Sequence, residues 1–195
     1  MPDWWPRNED PLVYVTFGSV TAAEHLPYFP DLYRAAIDAL APLPTRLLVT
    51  IGDVRDPDEL APVPSNVHVE RWVPHDAVAL QAAAIVCHGG YGSTLGALAH
   101  GAPLVVLPLF SADQWANASA VARAGAGVAL DAERSTRRSL GLPGDGTIGE
   151  LAPAVERLLG DPGYRHEARR IADEMRALPG VDAAVDVLAT IAGRA

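Results

Sequence analysis

Six short apolar runs, most followed by a stretch with helical spacing, leave few folds open to this chain of 195 residues. The runs are Leu12 to Phe17, Arg46 to Ile51, Val67 to Glu70, Ala84 to Cys87, Leu104 to Leu107 and Gly127 to Leu130. Helical patterns lie near Asp31 to Leu40, His75 to Ala82, Gly92 to Ala99 and Gln114 to Ala124. Strand-like runs that alternate with helices are the signature of parallel β-α-β units. The expected fold class is therefore α/β, a doubly wound parallel sheet of about six strands, which gathers ligands at the carboxyl ends of its strands.

Beyond a loop rich in Gly and Pro, Gly141 to Gly146, everything reads as helix. Thr147 and Glu150 are spaced as a capping box, and Ile148, Leu151, Val155 and Leu158 recur at helical intervals. Asp161 and Pro162 open another helix, with Tyr164, Ala168, Ile171 and Met175 on one face. A last helix bears Val181, Val185, Leu188 and Ile191. Arg134, Arg137 and Arg138 read as a solvated loop or helix face, and there is no internal repeat.

Between the fourth run and its helix lies His88-Gly89-Gly90-Tyr91-Gly92-Ser93-Thr94. Glycines let backbone amides approach an anion closely, and the helix start adds unpaired donors and the positive end of its dipole. All 15 basic residues are arginines, and only Arg123 lies between Trp72 and Leu130. Anion binding here rests on backbone and dipole. A triphosphate P-loop needs Gly-Lys-Ser/Thr and a Schiff-base enzyme needs lysine, so both are excluded in their usual form. Gly90, Gly92 and Gly96 miss the Rossmann dinucleotide spacing by one residue, and no acidic residue suitably follows the first strand-turn-helix, which disfavours a dinucleotide oxidoreductase.

The net charge of −9 carries no basic stripe, which argues against nucleic acid or an anionic membrane as partner. Hydrophobic residues make up 49% of the chain and charged ones 20%, enough for one sizeable core. Cys87 is the single cysteine and sits at a strand end, where a buried, inert thiol is expected. With no signal peptide and no apolar run of spanning length, a cytoplasmic protein without a membrane partner is expected. His25, His68, His100 and His166 have no neighbours at metal-ligand spacing, so no metal site is expected.

Four segments fall just after strands: Gly18-Ser19, Trp72 to His75, His88 to Thr94, and Asp113-Gln114. Gly18-Ser19 reads as a tight turn. Trp72 suits either stacking on a flat heterocycle or packing at the rim. His88 is placed equally to donate to a phosphate oxygen or to cap buried backbone. Asp113 is placed equally to accept from ligand hydroxyls or to cap the helix that begins at Gln114.

The order of these blocks resembles the C-terminal, donor-binding half of GT-B glycosyltransferases, the family of UDP-glucuronosyltransferases, plant glucosyltransferases and bacterial antibiotic (macrolide-type) glycosyltransferases. The resemblance is carried by Val13 to Ser19, Arg71 to His75, His88 to Thr94, and Gly101-Ala102-Pro103 through Pro108 to Asp113-Gln114 with Asn117-Ala118. It implies a Rossmann-like domain over residues 11–195, preceded by an interdomain linker remnant over 1–10. It also implies that Trp72 packs on a pyrimidine and the Val73 backbone reads the base edge. His88, Gly90, Gly92, Ser93 and Thr94 would hold the diphosphate with Ser19 close by, and Asp113 and Gln114 the sugar hydroxyls. The implied reaction is inverting transfer from a dTDP- or UDP-sugar to a small-molecule acceptor, with neither cofactor nor metal. The catalytic base would come from an N-terminal acceptor-binding domain, so that this chain alone binds donor without turnover. A noncatalytic nucleotide-sugar-binding subunit that docks a partner is the alternative. Plant members carry asparagine at Gly92, glutamate at Gly96 and glutamine at His75, and loss of that ribose carboxylate leans toward a deoxyribose donor.

Overall fold

The computed structural model describes residues 10–22, 26–130 and 141–192. Residues 1–9 of the expected 1–10 linker, His25 and the arginines at 134, 137 and 138 lie outside the described residues. Six parallel strands, β1 (Leu12–Thr16), β2 (Arg46–Thr50), β3 (Val67–Glu70), β4 (Ala84–Cys87), β5 (Leu104–Val106) and β6 (Gly127–Ala129), form one sheet in the order β3-β2-β1-β4-β5-β6. Strand order reverses between β1 and β4, and the crevice above that point is where such sheets take ligands.

Eight helices accompany the sheet among the described residues: α1 (Asp31–Leu40), α2 (His75–Ala79), α3 (Tyr91–Ala99), α4 (Ala112–Arg123), α5 (Asp145–Gly149), α6 (Leu151–Gly160), α7 (Pro162–Ala177) and α8 (Val181–Ala192). They cover both faces. Val13 and Val15 of β1 meet Leu32, Tyr33, Ala36 and Ile37 of α1 and Leu151, Val155 and Leu158 of α6. Leu12 and Tyr14, on the opposite face, join a core with Val78 of α2, Ala97 and Leu98 of α3, Val121 of α4 and Ala168 of α7. Because neither face sees water, β1 is buried along its length and reads as a continuous apolar run.

All six expected strands are present. Four stop one residue early, although Ile51, Leu107 and Leu130 still donate backbone hydrogen bonds across the sheet. The helix predicted to reach Ala82 ends at Ala79, where Leu80 turns outward to solvent.

The expected capping box is not formed. Thr147 lies inside the five-residue α5, and Glu150 is the hinge into α6, with no side-chain cap on either helix. The capping box that does exist joins Asp56 and Glu59 around a short 3-10 turn, Pro57–Leu60. Asp161 caps α7 as expected, accepting from the Gly163 amide at 2.8 Å. The guanidinium of Arg165 then fastens α7 to the sheet by donating to the carbonyls of Ala82 and Ala83 at 2.8 and 2.6 Å. Helix α8 forms as predicted, but Val181, Val185, Leu188 and Ile191 stay exposed. No described helix is long and apolar enough to cross a membrane.

Candidate functional site

A cavity of about 480 Å³ opens above the switch point, bounded by the segments that leave β1, β2, β3 and β4 and by the starts of α2 and α3. Ser19, Trp72, Val73, His88, Gly90, Gly92 and Ser93 all line it, as do Tyr14, Thr16, Thr50, Arg71, His75 and Gly96. Seven of the ten expected ligand contacts thus converge from separate turns.

Helix α3 starts at Tyr91 with Gly90 as its N-cap and no side-chain cap, and its first internal bond is Thr94 N–H to Gly90 C=O at 3.0 Å. The first-turn amides have no acceptor inside the helix. These donors and the helix dipole suit an anion at the mouth of the turn.

The His88 imidazole is wedged between two glycines. A Cβ on Gly18 would stand 2.7 Å from Cε1 of the ring, and one on Gly90 would stand 2.5 Å from Nε2. Gly18 also has φ of +81°, so it is needed for its backbone as well as its missing side chain. Phe110 stacks on the ring at 6.4 Å between centroids. Burial pushes the His88 pKa down to about 4, only partly opposed by the negative charge of Asp113, so the ring is neutral at pH 7. Its Nδ1 is buried without a partner. The ring is therefore held in place by packing, with hydrogen-bonding capacity unspent.

Trp72 is 65% exposed at the rim, its indole free to receive a flat ring, while the Val73 side chain is buried beneath. At the floor, the Tyr14 hydroxyl and Thr50 Oγ1 hydrogen-bond each other at 3.0 Å. Arg71, the one cation lining the cavity among the described residues, pairs with Asp56 at 2.6 Å.

Three expected contacts are placed elsewhere. Thr94 comes about 100° further around α3 than Ser93 and turns into the core, where it is 4% exposed. Asp113 is exposed in the first turn of α4 but does not cap it, because the helix starts two residues earlier than expected, at Ala112, and Ser111 holds the N-cap position. Gln114 is buried, and its Oε1 accepts from the amides of Leu109 and Phe110 at 2.8 and 3.1 Å. Asn117 likewise donates to the Gly89 carbonyl at 2.7 Å. This block braces the His88 turn from behind.

Tyr14, Thr16 and Thr50 were not singled out from the sequence, whereas His75 closes the expected segment Trp72 to His75 and Gly96 is one of the positions that differ from plant members. Tyr14 and Thr50 sit inside apolar runs, where strand periodicity hides a polar tip. Cys87 is buried and its thiol pKa is raised to about 11, which makes it the inert residue expected. Among the described residues no group of three His, Cys, Asp or Glu could hold a metal ion.

Comparison with known proteins adds to this geometry. The family described as "Erythromycin biosynthesis protein CIII-like, C-terminal domain" matches residues 34–191. Over 189 residues the chain is 34% identical to the 4'-demethylrebeccamycin synthase of Lentzea aerocolonigenes, a match covering 96% of this chain and 40% of that relative. Its fold is similar to that of CalG4, the calicheamicin glycosyltransferase, with a TM-score of 0.78 and 31% identity over 98% of this chain and 44% of that one. The glycosyltransferase VinC, solved in complex with dTDP, gives a TM-score of 0.79 and 26% identity over 100% of this chain and 45% of that one. The chain spans less than half the length of each of these proteins.

Proposed function

Because the chain belongs to the erythromycin biosynthesis protein CIII-like C-terminal-domain family, we propose that it is the nucleotide-sugar-binding half of an inverting GT-B glycosyltransferase. The donor is a dTDP- or UDP-sugar and the acceptor a small natural product. One observation carries the reading: an exposed indole, an uncapped helix start and a glycine-locked imidazole meet in one cavity at the switch point of the sheet.

In this scheme Trp72 stacks on the base and the Val73 backbone meets its edge. Gly90, Gly92, Ser93 and His88, with Ser19 opposite, surround the diphosphate. Transfer breaks the bond between the anomeric carbon and the diphosphate oxygen while an acceptor oxygen bonds to the other face of that carbon. Negative charge grows on the departing diphosphate, where fixed amides, the helix dipole and the imidazole N–H stabilise it. The scheme uses no cofactor or metal. The acceptor's proton goes to a base in an acceptor-binding domain, which the chain needs for turnover. Asp113 and Gln114 enter only if donor binding redirects them, since Gln114 Oε1 is already committed to two amides.

Calorimetric titration with dTDP, UDP and NAD tests the proposal. Binding of a pyrimidine diphosphate in preference to NAD is expected, and preference for NAD overturns it. His88→Ala should weaken diphosphate binding by roughly 1–3 kcal/mol through loss of a hydrogen bond to a charged group. Unchanged affinity removes His88 from the site. Mixing the chain with an acceptor-binding half should restore transfer; binding without any transfer makes it a noncatalytic subunit instead.

A further inference from the structure

At the amino ends of β1 and β4, across the sheet from the nucleotide cavity, lies a cavity of about 520 Å³. Its walls include Pro11, Leu158, Leu159 and Pro162, together with Arg165 and Arg169 of α7. Every described residue that lines it is apolar or basic, in a chain whose net charge is −9. We infer that this cavity is a binding site for a small amphiphilic carboxylate, a single carboxylate group on a hydrocarbon body. The inference does not rest on the nucleotide reading above.

Arg169 carries the recognition. Its stem lies against Gly101, in the turn between α3 and β5, where a Cβ would stand 2.8 Å from Arg169 Cγ and 3.2 Å from its Cα. The stem is thus packed while the residue is exposed, and its guanidinium has no hydrogen bond or ion pair among the described residues. Residues one turn away on a helix are the natural partners of such a charge. One turn before Arg169 stands Arg165, a like charge, and one turn after it Asp173 is already paired with Arg176 at 2.7 Å. Glu167 and Glu174 are both bound by Arg170.

Arg165 adds positive charge without cancelling any. Its bonds go to the carbonyls of Ala82 and Ala83, which are neutral acceptors. Burial first, and then the charge of Arg169, hold the Arg165 pKa below its ordinary value. An anion at Arg169 relieves that repulsion.

The ligand class follows from what is unspent. A free guanidinium offers parallel N–H groups that match the two oxygens of a planar carboxylate. A phosphate dianion has three oxygens to satisfy and finds only one uncommitted guanidinium here. The leucine and proline walls take an apolar body, whose removal from water adds to the affinity.

The test titrates octanoate and octan-1-ol, which share a hydrocarbon tail and differ in the head group, calorimetrically into the whole chain. Octanoate should bind saturably, one to one, and roughly tenfold tighter than the alcohol. Arg169→Gln should abolish that difference by weakening octanoate roughly tenfold. Arg123→Gln, the same change of charge on α4, should leave octanoate affinity as it is. In amide NMR spectra octanoate should shift Ala83 and Arg165 to Arg169 and leave Gly89 to Ser93 in place. Absence of saturable binding, equal affinity for the alcohol, full affinity in Arg169→Gln, an equal loss in Arg123→Gln, or shifts confined to Gly89 to Ser93 overturns the inference. None of these outcomes bears on the dTDP titration, and failure of dTDP to bind leaves this site standing. Far-UV circular dichroism checks the fold of both variants, whose substituted residues are exposed.

Discussion

The turn after β4 and the segment opening α4 leave the same sheet and are both rich in polar residues, yet one is a surface and the other a support. They differ in where the polar atoms are spent. His88 Nδ1 has no partner, and the first amides of α3 have none inside the helix. Gln114 and Asn117, by contrast, are committed to the backbone of Leu109, Phe110 and Gly89. A binding surface keeps its hydrogen-bonding capacity open, while a support satisfies its capacity internally, since leaving buried groups unpaired costs free energy. The second segment is thus what fixes the first.

The strongest way to break this comparison is to fill the space the turn keeps empty. Gly90 has φ −64° and ψ 149°, which valine adopts readily, so Gly90→Val disturbs the site through its side chain alone. That side chain begins 2.5 Å from His88 Nε2 and must displace the ring. Nucleotide affinity should fall by about 3 kcal/mol, on the order of a hundredfold, with helix content unchanged by circular dichroism. Full affinity in Gly90→Val would show that the turn is not the surface described.

A second effect of similar size follows from the open side of the comparison. His88 has a pKa of about 4 in the folded chain against an ordinary value of 6.5, so between those values the unfolded chain binds more protons. Stability therefore rises with pH through this window: the contribution is complete above pH 6.5 and lost below pH 4, about 3 kcal/mol in all. Burial lowers the His75 pKa too, which adds to the same slope. Urea unfolding from pH 7.5 to pH 4 should show a shallower dependence in His88→Asn than in wild type. Matching slopes would mean that His88 titrates normally.

The support side is tested by Gln114→Ala, which strands two amides. A loss of about 2 kcal/mol in unfolding free energy is expected, with Gln114→Glu recovering much of it because an acceptor oxygen is kept. If Gln114→Ala instead leaves stability intact and lowers only sugar transfer in the assembled enzyme, the segment belongs to the surface.

The sequence made the sheet legible because burial on both faces forces continuous apolar strands, and these stand out between amphipathic helices. The glycine turn was legible for a similar reason: His88 to Ser93 combines residue types that few other local structures need together. The burial of Thr94 was not legible because one step along a helix turns a side chain from pocket to core, and a helix start read one residue late at Gly92 hides that rotation. Asp113 and Gln114 were harder still. Their positions after a strand are correct, but whether an amide faces a ligand or a backbone loop depends on how Leu109 and Phe110 fold back, and nothing local in the chain encodes that. That Gly96 lies against the His75 ring needed coordinates to be seen, since the two sit on different helices.

Asp113 carries the smallest expected effect and the finest discrimination, because it belongs to the support by sequence and to the surface by charge. It is exposed in the first turn of α4, where a carboxylate favours the helix dipole, and its charge is felt at His88. Asp113→Asn should cost under about 1 kcal/mol of stability. It also removes a negative charge near the diphosphate site, so dTDP affinity should hold or rise slightly. Calorimetry with dTDP, which has no sugar, then separates two roles. If Asp113 accepts from the sugar hydroxyls, Asp113→Asn lowers kcat/KM for the whole glycosyltransferase while leaving dTDP binding untouched. If it only tunes the field, the two measurements move together, and the line between surface and support runs between Ser93 and α4, where the unliganded geometry draws it.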